Sequence, residues 1–273
     1  MKKKLLMIGV LILSITGVYA AFHTSKKDFE YKSNLKDVKK IVVDSDISNI
    51  LLVTGDSNMN VGYASQKSFL GNPKIEIVYD QNQATIKVNA IPKKWMYLVP
   101  GIIQRGKVVL NIPPKLLEQV EINTRNGNID VKNESDVNKL FLSSNVGNIN
   151  VDSFKGESLN IDAKNGSINL GTVDGEVNIK NRTGNLKGLT FSDMKGKNNI
   201  TLSNGNVKIT LPSELALNDI GFNISTSNGR IISDNGLVSK QITKRGAGQK
   251  ITNGSQGNKE LNISVSVGNI EIN

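Results

Sequence analysis

Side chains that commonly carry catalysis are scarce in this sequence. It contains no cysteine, and His23 is its single histidine. Without a thiolate or a second imidazole, the region beyond residue 37 cannot hold a Ser-His-Asp triad, a Cys-His pair or a zinc site with several histidines. The phosphate-binding patterns GxGxxG and GxxxxGK[ST] are also absent. We therefore expect no cofactor and no metal site.

Carboxylates are the remaining candidates for catalysis. Parallel β-helices can carry polysaccharide hydrolases, whose two carboxylates lie about 5–9.5 Å apart in a cleft. Here the aspartates are spread along the chain, and a pair could form only if Asp152 aligned with an acidic residue one repeat away. The candidates are Asp130, Asp152, Asp162, Asp174 and Asp193. We favour a non-enzymatic protein and keep a carbohydrate-active enzyme on a β-helix as an alternative.

Calcium binding is also not expected. Calcium-binding solenoids repeat the phrase GGxGxD, whereas the recurring glycines of this chain are followed by Asn, Ser or Arg. The many asparagines beside these glycines are better explained as residues that bond corner backbone groups or stack as amide ladders.

Two basic stretches are candidate binding sites. The first combines aromatic and basic residues between Pro92 and Pro100. This composition is typical of a patch that lies at a membrane interface or binds a ligand, and the alternative is a loop that caps the core. The second lies within residues 237–260 and predicts an anion-binding loop or a solvated excursion. The candidate residues are Lys93, Lys94, Trp95, Tyr97, Lys244 and Arg245.

The elements that must position these residues are given by a repeat. Seven times after residue 120 an apolar pair precedes a polar turn ending in glycine, and apolar residues follow, as in INTRNGNIDV and IDAKNGSINL. The gaps between successive glycines are about twenty residues, except the last, which predicts one degenerate coil between Ile231 and Leu261. The seven glycines are Gly127, Gly147, Gly166, Gly184, Gly205, Gly229 and Gly268.

A period near twenty with alternating apolar residues predicts an all-β fold. We expect a β-solenoid, parallel β-helix-like, with coils of about 18–21 residues that stack on one another. The alternative is a run of hairpins whose strands pair within each copy. The same phrase is expected earlier, with Ser48 and Asn49 at its corner.

The N-terminus predicts export. Lys2, Lys3 and Lys4 precede a stretch without charge, Leu5 to Ala21, which forms either a membrane anchor or a cleaved signal. We expect residues 1–21 to be this transmembrane or signal helix, 22–37 a polar linker, 38–119 an N-terminal β-rich part with an irregular capping stretch, and 120–273 the repeat solenoid.

The exported part is basic. Three of the 34 basic residues are the leading lysines, so 31 remain against 24 acidic residues. This surface suits anionic cell-envelope polymers or lipid head groups, although it could serve solubility alone. We do not expect a nucleic-acid partner. A membrane protein is a further possible partner, and the oligomeric state is left open.

The segments VVLNIPPKLLEQVEINTRNGNIDV and VKITLPSELALNDIGFNISTSNGRI share one order of strand, proline, short connection and strand-turn-strand phrase. With the apolar N-terminus, they make the chain resemble the β-strand-repeat envelope proteins called the "putative adhesin" family, over residues 38–273. The family includes a membrane-anchored protein of a Gram-positive envelope-stress operon. The resemblance implies a solenoid in the cell envelope and carries no catalytic motif.

Overall fold

The computed structural model describes residues 28–55, 58–66, 72–89, 106–113, 117–212, 220–234, 242–254 and 258–273. These residues form twenty β-strands and no helix, which confirms the all-β prediction. Within these ranges no helix is long and apolar enough to cross a membrane. The predicted N-terminal helix and the stretch around Trp95 lie outside the described residues. Part of the segment predicted as a linker, Asp28–Asn34, is a strand.

The strands are β1 (Asp28–Asn34), β2 (Lys40–Ser45), β3 (Ser48–Thr54), β4 (Asn60–Gln66), β5 (Lys74–Asp80), β6 (Gln83–Asn89), β7 (Gly106–Ile112), β8 (Leu117–Asn126), β9 (Ile129–Val146), β10 (Ile149–Asn165), β11 (Ile168–Thr183), β12 (Leu186–Met194), β13 (Lys197–Asn204), β14 (Val207–Thr210), β15 (Ile220–Asn228), β16 (Ile231–Ser233), β17 (Thr243–Arg245), β18 (Gly248–Asn253), β19 (Lys259–Val267) and β20 (Ile270–Ile272).

The repeating unit is a rung with two straight segments on either side of a corner. The segment before the corner lies on one sheet, face A, and the segment after it lies on a second sheet, face B. In one rung Leu159–Ala163 lies on face A and Ile168–Leu170 on face B, with Gly166 between them. The long strands β9, β10 and β11 each pass from face B of one rung to face A of the next. The chain thus winds as a flattened coil.

The rungs stack in parallel, as the solenoid prediction requires. Ile129 pairs with Ile149, which pairs with Ile168, and the series continues to Leu186 and Val207. These steps are 18 to 21 residues, as predicted. The hairpin alternative is wrong for the repeats, because the segments beside each corner pair with neighbouring rungs and not with each other. Face A and face B enclose one apolar core.

The core consists of columns in which each rung contributes one inward side chain. Val120, Leu140, Leu159 and Val177 form one column, and each has no exposed surface. Strand alternation sends every second residue inward, and full burial of one such side chain contributes about 1.5–3 kcal/mol. Since each column is continuous through the stack, every rung is stabilised by the rungs on both sides.

The corner glycines lie directly on top of one another in a column along one edge. A Cβ on Gly147 would lie 1.9 Å from the carbonyl oxygen of Gly127, and one on Gly166 would lie 1.9 Å from that of Gly147. The column continues through the other repeat glycines to Gly229, with similar spacing. Gly147 also has φ +149°, a conformation essentially restricted to glycine. Glycine is therefore required here both for space and for backbone conformation.

The asparagines after these glycines form a hydrogen-bond ladder, as predicted. The Asn148 backbone N–H donates to Asn128 Oδ1 at 2.9 Å, and the Ser167 N–H donates to Asn148 Oδ1 at 2.8 Å. The Asn206 N–H donates in the same way to Asn185 Oδ1. Each side-chain amide oxygen thus accepts a hydrogen bond from a backbone N–H of the neighbouring rung. At the corner this N–H would otherwise have no partner on a strand.

The first phrase was correctly placed before residue 120. Strands β2 and β3 form a rung that packs on β8 and β9, with Ser48 in the position of the corner glycine. The next rung outward, β6 and β7, has Gly106 at this position. A Cβ on Gly106 would lie 2.0 Å from Tyr63 Oη. The buried phenol of Tyr63, whose pKa is raised by that burial, thus ends the column.

The order of the rungs departs from the order of the sequence at both ends. At the N-terminal end, β2–β3 lies inside β6–β7, and the antiparallel strands β1, β4 and β5 lie outermost. At the C-terminal end, β19–β20 lies between β13–β14 and β15–β16. The degenerate coil predicted between Ile231 and Leu261 is wrong, because residues 243–253 form an antiparallel hairpin on β15.

Replacement of Gly147 by alanine should destabilise the fold by about 3 kcal/mol or more, since its Cβ would meet the Gly127 carbonyl in a strained conformation. Urea unfolding followed by circular dichroism measures this change. Gly254→Ala is the matched control, because nothing lies within 4 Å of its Cβ. Equal stability of the two variants would show that the column does not need glycine.

Replacement of Asn148 by alanine should lower the free energy of unfolding by about 1 kcal/mol, because the Ser167 N–H loses its acceptor. Asn148→Asp keeps an acceptor oxygen and should retain more of the stability than Asn148→Ala. If aspartate costs as much as alanine in urea unfolding, the ladder bond contributes nothing.

Candidate binding face

The outward side chains of face A form three polar rows that run across the rungs. Inward alternation on each strand leaves every second residue outside, and the parallel register aligns these residues between rungs. The amide row is Glu121, Phe141, Asn160, Asn178, Asn199, Asn262 and Asn223. The central row is Asp44, Asn123, Ser143, Asp162, Lys180, Thr201, Ser264 and Ser225.

The third row lies beside the glycine column, and its members are each two residues before a corner glycine. Pairs on both sides of each position, such as Ala163–Asn181 and Asn165–Thr183, align this row in the same way. We call it the edge row. It consists of Arg125, Asn145, Lys164, Arg182, Ser203, Ser266 and Ser227.

An open groove of about 520 Å³ runs along the amide and central rows. Its lining includes Phe141, a half-buried aromatic ring among amides, together with Asp162 and Lys180. A second hollow of about 410 Å³ shares Asn123 and Ser143 with it and continues toward the N-terminal end. Face A therefore offers a long, shallow and polar surface, not an enclosed pocket.

Amides in this groove are ordered by one another. Asn199 Nδ2 donates to Asn178 Oδ1 at 2.9 Å, and Asn262 Nδ2 donates to Asn199 Oδ1 at 3.2 Å. A side-chain amide has two N–H donors and an oxygen with two lone pairs, so a ladder bond uses only part of each group. The row can therefore donate to and accept from a bound molecule.

Most ion pairs of the described residues join neighbouring rungs. Lys132 Nζ lies 2.9 Å from Asp152 Oδ1, and Lys208 Nζ lies 2.6 Å from Glu271 Oε1. The hydrogen bond to Asp152 raises the pKa of Lys132, and that from Lys208 lowers the pKa of Glu271. These pairs are exposed to solvent and contribute little stability each, but they set a pattern in which a cation faces an acid.

The carboxylate pair that the sequence left open at Asp152 does not form. The neighbours of Asp152 in its column are Lys132, with which it is paired, and Gly171. Asp130, Asp152 and Asp162 all point outward, as predicted. Asp174 and Asp193 do align on neighbouring strands.

The two aligned aspartates each have a lysine partner. Lys195 pairs with Asp174, and Lys259 Nζ lies 3.1 Å from Asp193 Oδ1. No group of three or more potential metal ligands occurs among the described residues.

The predicted binding residues fall into two sets. Lys93, Lys94, Trp95 and Tyr97 lie outside the described residues. Lys244 and Arg245 are exposed on β17, in the hairpin that ends face A. The hairpin turns at Gly246 and lies beyond β15, the last strand of the three rows. The structure therefore does not join this pair to the groove.

Sequence reasoning missed the rows of face A, including Phe141 and the cations of the edge row. A signal was present, because Arg125, Lys164 and Arg182 all stand two residues before a repeat glycine. Comparison of the seven phrases position by position, and not only at their apolar residues, would have revealed it.

Comparisons with known proteins place the fold in a family. The family described as Toastrack DUF4097 matches the chain twice, at residues 38–170 and 136–273. None of the curated proteins matches the sequence.

Several solved structures are similar over most of their length. A "putative cell adhesion protein" from Clostridium sporogenes is 14% identical, with 90% of this chain and 99% of that chain covered and a TM-score of 0.42. A "putative adhesin" from Bacteroides fragilis is 13% identical, with 91% and 98% covered and a TM-score of 0.44. A "putative lipid binding protein" from Parabacteroides distasonis is 14% identical, with 70% and 92% covered and a TM-score of 0.39.

Identities and TM-scores this low carry no argument about function. The family match covers most of the sequence and confirms the resemblance to β-strand-repeat proteins. The chain belongs to the Toastrack DUF4097 family.

Proposed function

We propose that this protein is a non-enzymatic, extracytoplasmic protein of the cell envelope, anchored by its N-terminal apolar segment, that binds envelope components through a polar and basic surface. Its partners are anionic envelope polymers or lipid head groups, or a membrane protein in an envelope-stress response. The alternatives are a secreted adhesin or wall-binding protein and, less favoured, a carbohydrate-active enzyme.

This proposal is supported by the different roles of the inward and outward residues in each rung. Inward residues form the core columns, while the outward residues of face A form three aligned rows. A ligand that extends across the rungs would meet the same kinds of side chain about every 4.8 Å. Such a surface supports many weak contacts at once, as binding to a polymer or an extended surface requires.

The arrangement of the carboxylates supports a binding function over a catalytic one. A glycosidase needs one carboxyl group held ready as an acid and a second free to act as base or nucleophile, both in a cleft. Among the described residues, Asp152, Asp174 and Asp193 are each paired with a lysine. The groove of face A is open, and its two carboxylates, Glu121 and Asp162, lie two rungs apart in different rows.

Export is supported by the sequence of residues 1–21. A basic head followed by a short uncharged stretch is typical of both an anchor and a signal. The net positive charge of the exported part is compatible with the anionic material of the envelope.

Expression of the full chain in a Gram-positive host should leave Met1 and Lys2 at the N-terminus of the membrane fraction. N-terminal sequencing of the membrane and released fractions measures this. A new N-terminus near Ala21 in a released protein would refute the anchor and favour the secreted adhesin.

The protein should co-sediment with isolated cell envelopes, and Lys244→Gln/Arg245→Gln should bind several-fold less, because two exposed cations are lost. Lys107→Gln/Lys155→Gln is the matched control, since it removes two exposed cations elsewhere. An equal loss in both variants would reduce the role of Lys244 and Arg245 to net charge. No sedimentation of the unaltered protein would contradict the proposed function.

A further inference from the structure

The edge row departs from the electrostatic pattern of the remaining surface. Elsewhere a lysine usually faces an acid in the next rung, as Lys132 faces Asp152 and Lys139 faces Glu157. In the edge row Lys164 and Arg182 occupy the same position on neighbouring strands, because Ala163 pairs with Asn181 and Asn165 pairs with Thr183. Two cations therefore face each other where the pattern would place a cation and an anion.

No acidic residue flanks Lys164 or Arg182 within the row, and an acid, Asp46, stands beside Arg125 at the N-terminal end of the basic stretch. The other neighbours of Lys164 and Arg182 along the row are Asn145 and Ser203. Among the ion pairs of the described residues, none includes Lys164 or Arg182.

Like charges directly opposite on neighbouring strands destabilise a sheet. Several lysines of this protein are paired with acids across rungs, whereas Lys164 and Arg182 face each other with no acid beside them in the row. Local departures of this kind are expected at functional sites, where a ligand supplies what the fold leaves out. The missing group is an anion.

The geometry indicates a linear anion. Arg125, Lys164 and Arg182 lie on one line across four successive rungs, a distance of about 14 Å at 4.8 Å per rung. The row continues with hydroxyl groups on Ser203 and Ser266. Lys180, in the adjacent central row, adds a further cation on the same rung as Arg182, while Asp162 is the acid nearest to it in that row.

A flat membrane surface fits less well. Proteins that lie on a membrane present cations over a plane together with apolar side chains that enter the interface. The large exposed apolar side chains near the edge row are Val146 and Val267. They lie four rungs apart, so the described residues form no apolar patch there.

We propose that the edge row is a binding site for a linear poly(phosphodiester) that lies along the glycine edge, with its phosphates on Arg182, Lys164 and Arg125. The amide of Asn145 and the hydroxyls of Ser203 and Ser266 donate to oxygens of the same chain. This inference rests on the proposed contact with anionic envelope material and names its chemical class.

The test uses the full chain and poly(glycerol phosphate) of defined length, with binding measured by fluorescence anisotropy at several salt concentrations. Lys164→Gln/Arg182→Gln should weaken binding at least tenfold at low salt. It should also reduce the slope of log K against log salt by about 1.4, since each phosphate contact on a flexible polyanion contributes about 0.7.

Lys107→Gln/Lys155→Gln removes the same charge away from the row and should leave the slope unchanged. A matching loss in this control would overturn the site, as would unchanged binding in Lys164→Gln/Arg182→Gln. Vesicles of anionic phospholipid distinguish the source of the phosphate, and preference for vesicles over the polymer would overturn the linear ligand. If envelopes are still bound while the polymer is not, this inference fails and the proposed function stands.

The folded state offers an independent readout. Removal of the facing cations should leave the urea midpoint equal or raise it, because repulsion is relieved. A lower midpoint would mean that Lys164 and Arg182 stabilise the fold, and the argument from an unpartnered charge would fail.

Discussion

The corners of neighbouring rungs are in close contact throughout the stack. Each repeat glycine places its Cα where an added methyl group would overlap the carbonyl of the corner residue in the neighbouring rung, which is Ser48 for Gly127 and a glycine for the others. This contact lets the two faces meet at an edge at the spacing of hydrogen-bonded strands. The apolar columns, the asparagine ladder and the outward rows all depend on it, because each is an alignment of residues at a constant distance from the corner.

Two separate constraints fix the register of the strands in this fold. A slip of one residue would move the inward side chains of a strand to the solvent, and it would also bring a residue with a Cβ into the glycine column. These two penalties act on the same segments and reinforce each other. Where the column ends, at Gly106, the side chain of Tyr63 fills the space that another corner would occupy. Caps of this kind are needed wherever a stack of rungs stops.

The repeats were predictable from the sequence because they are local. Glycine at the corner, asparagine after it and apolar alternation on both sides are each visible within ten residues, and together they gave the rungs and their length. The positions of β19–β20 and of the β17–β18 hairpin were not predictable in this way. Their apolar residues fit next to many rungs equally well. The repeated sequence phrase therefore predicts that a segment forms a rung, but it does not predict which rungs lie on either side of it. The edge row was missed for a related reason, since a single phrase shows one polar residue and only the stacked register makes a row.

Charge on this surface is organised at the same spacing as the backbone. Where Lys132 meets Asp152 or Lys208 meets Glu271, the surface is neutral on the scale of one rung. At Lys164 and Arg182, two positive charges occupy the same position on neighbouring rungs. The net positive charge alone does not describe this pattern, because the paired lysines Lys132 and Lys208 follow the corners, whereas the edge row precedes them on face A.

The insertion of β19–β20 between β13–β14 and β15–β16 has a consequence for how the chain matures. From β8 to β14, each segment can join segments that precede it in the chain. Residues 220–253 are made earlier than residues 259–272 but have their native place beyond them. Assembly of this end is therefore not vectorial, and the hairpin-capped unit must wait, or be displaced, until the intervening rung is available.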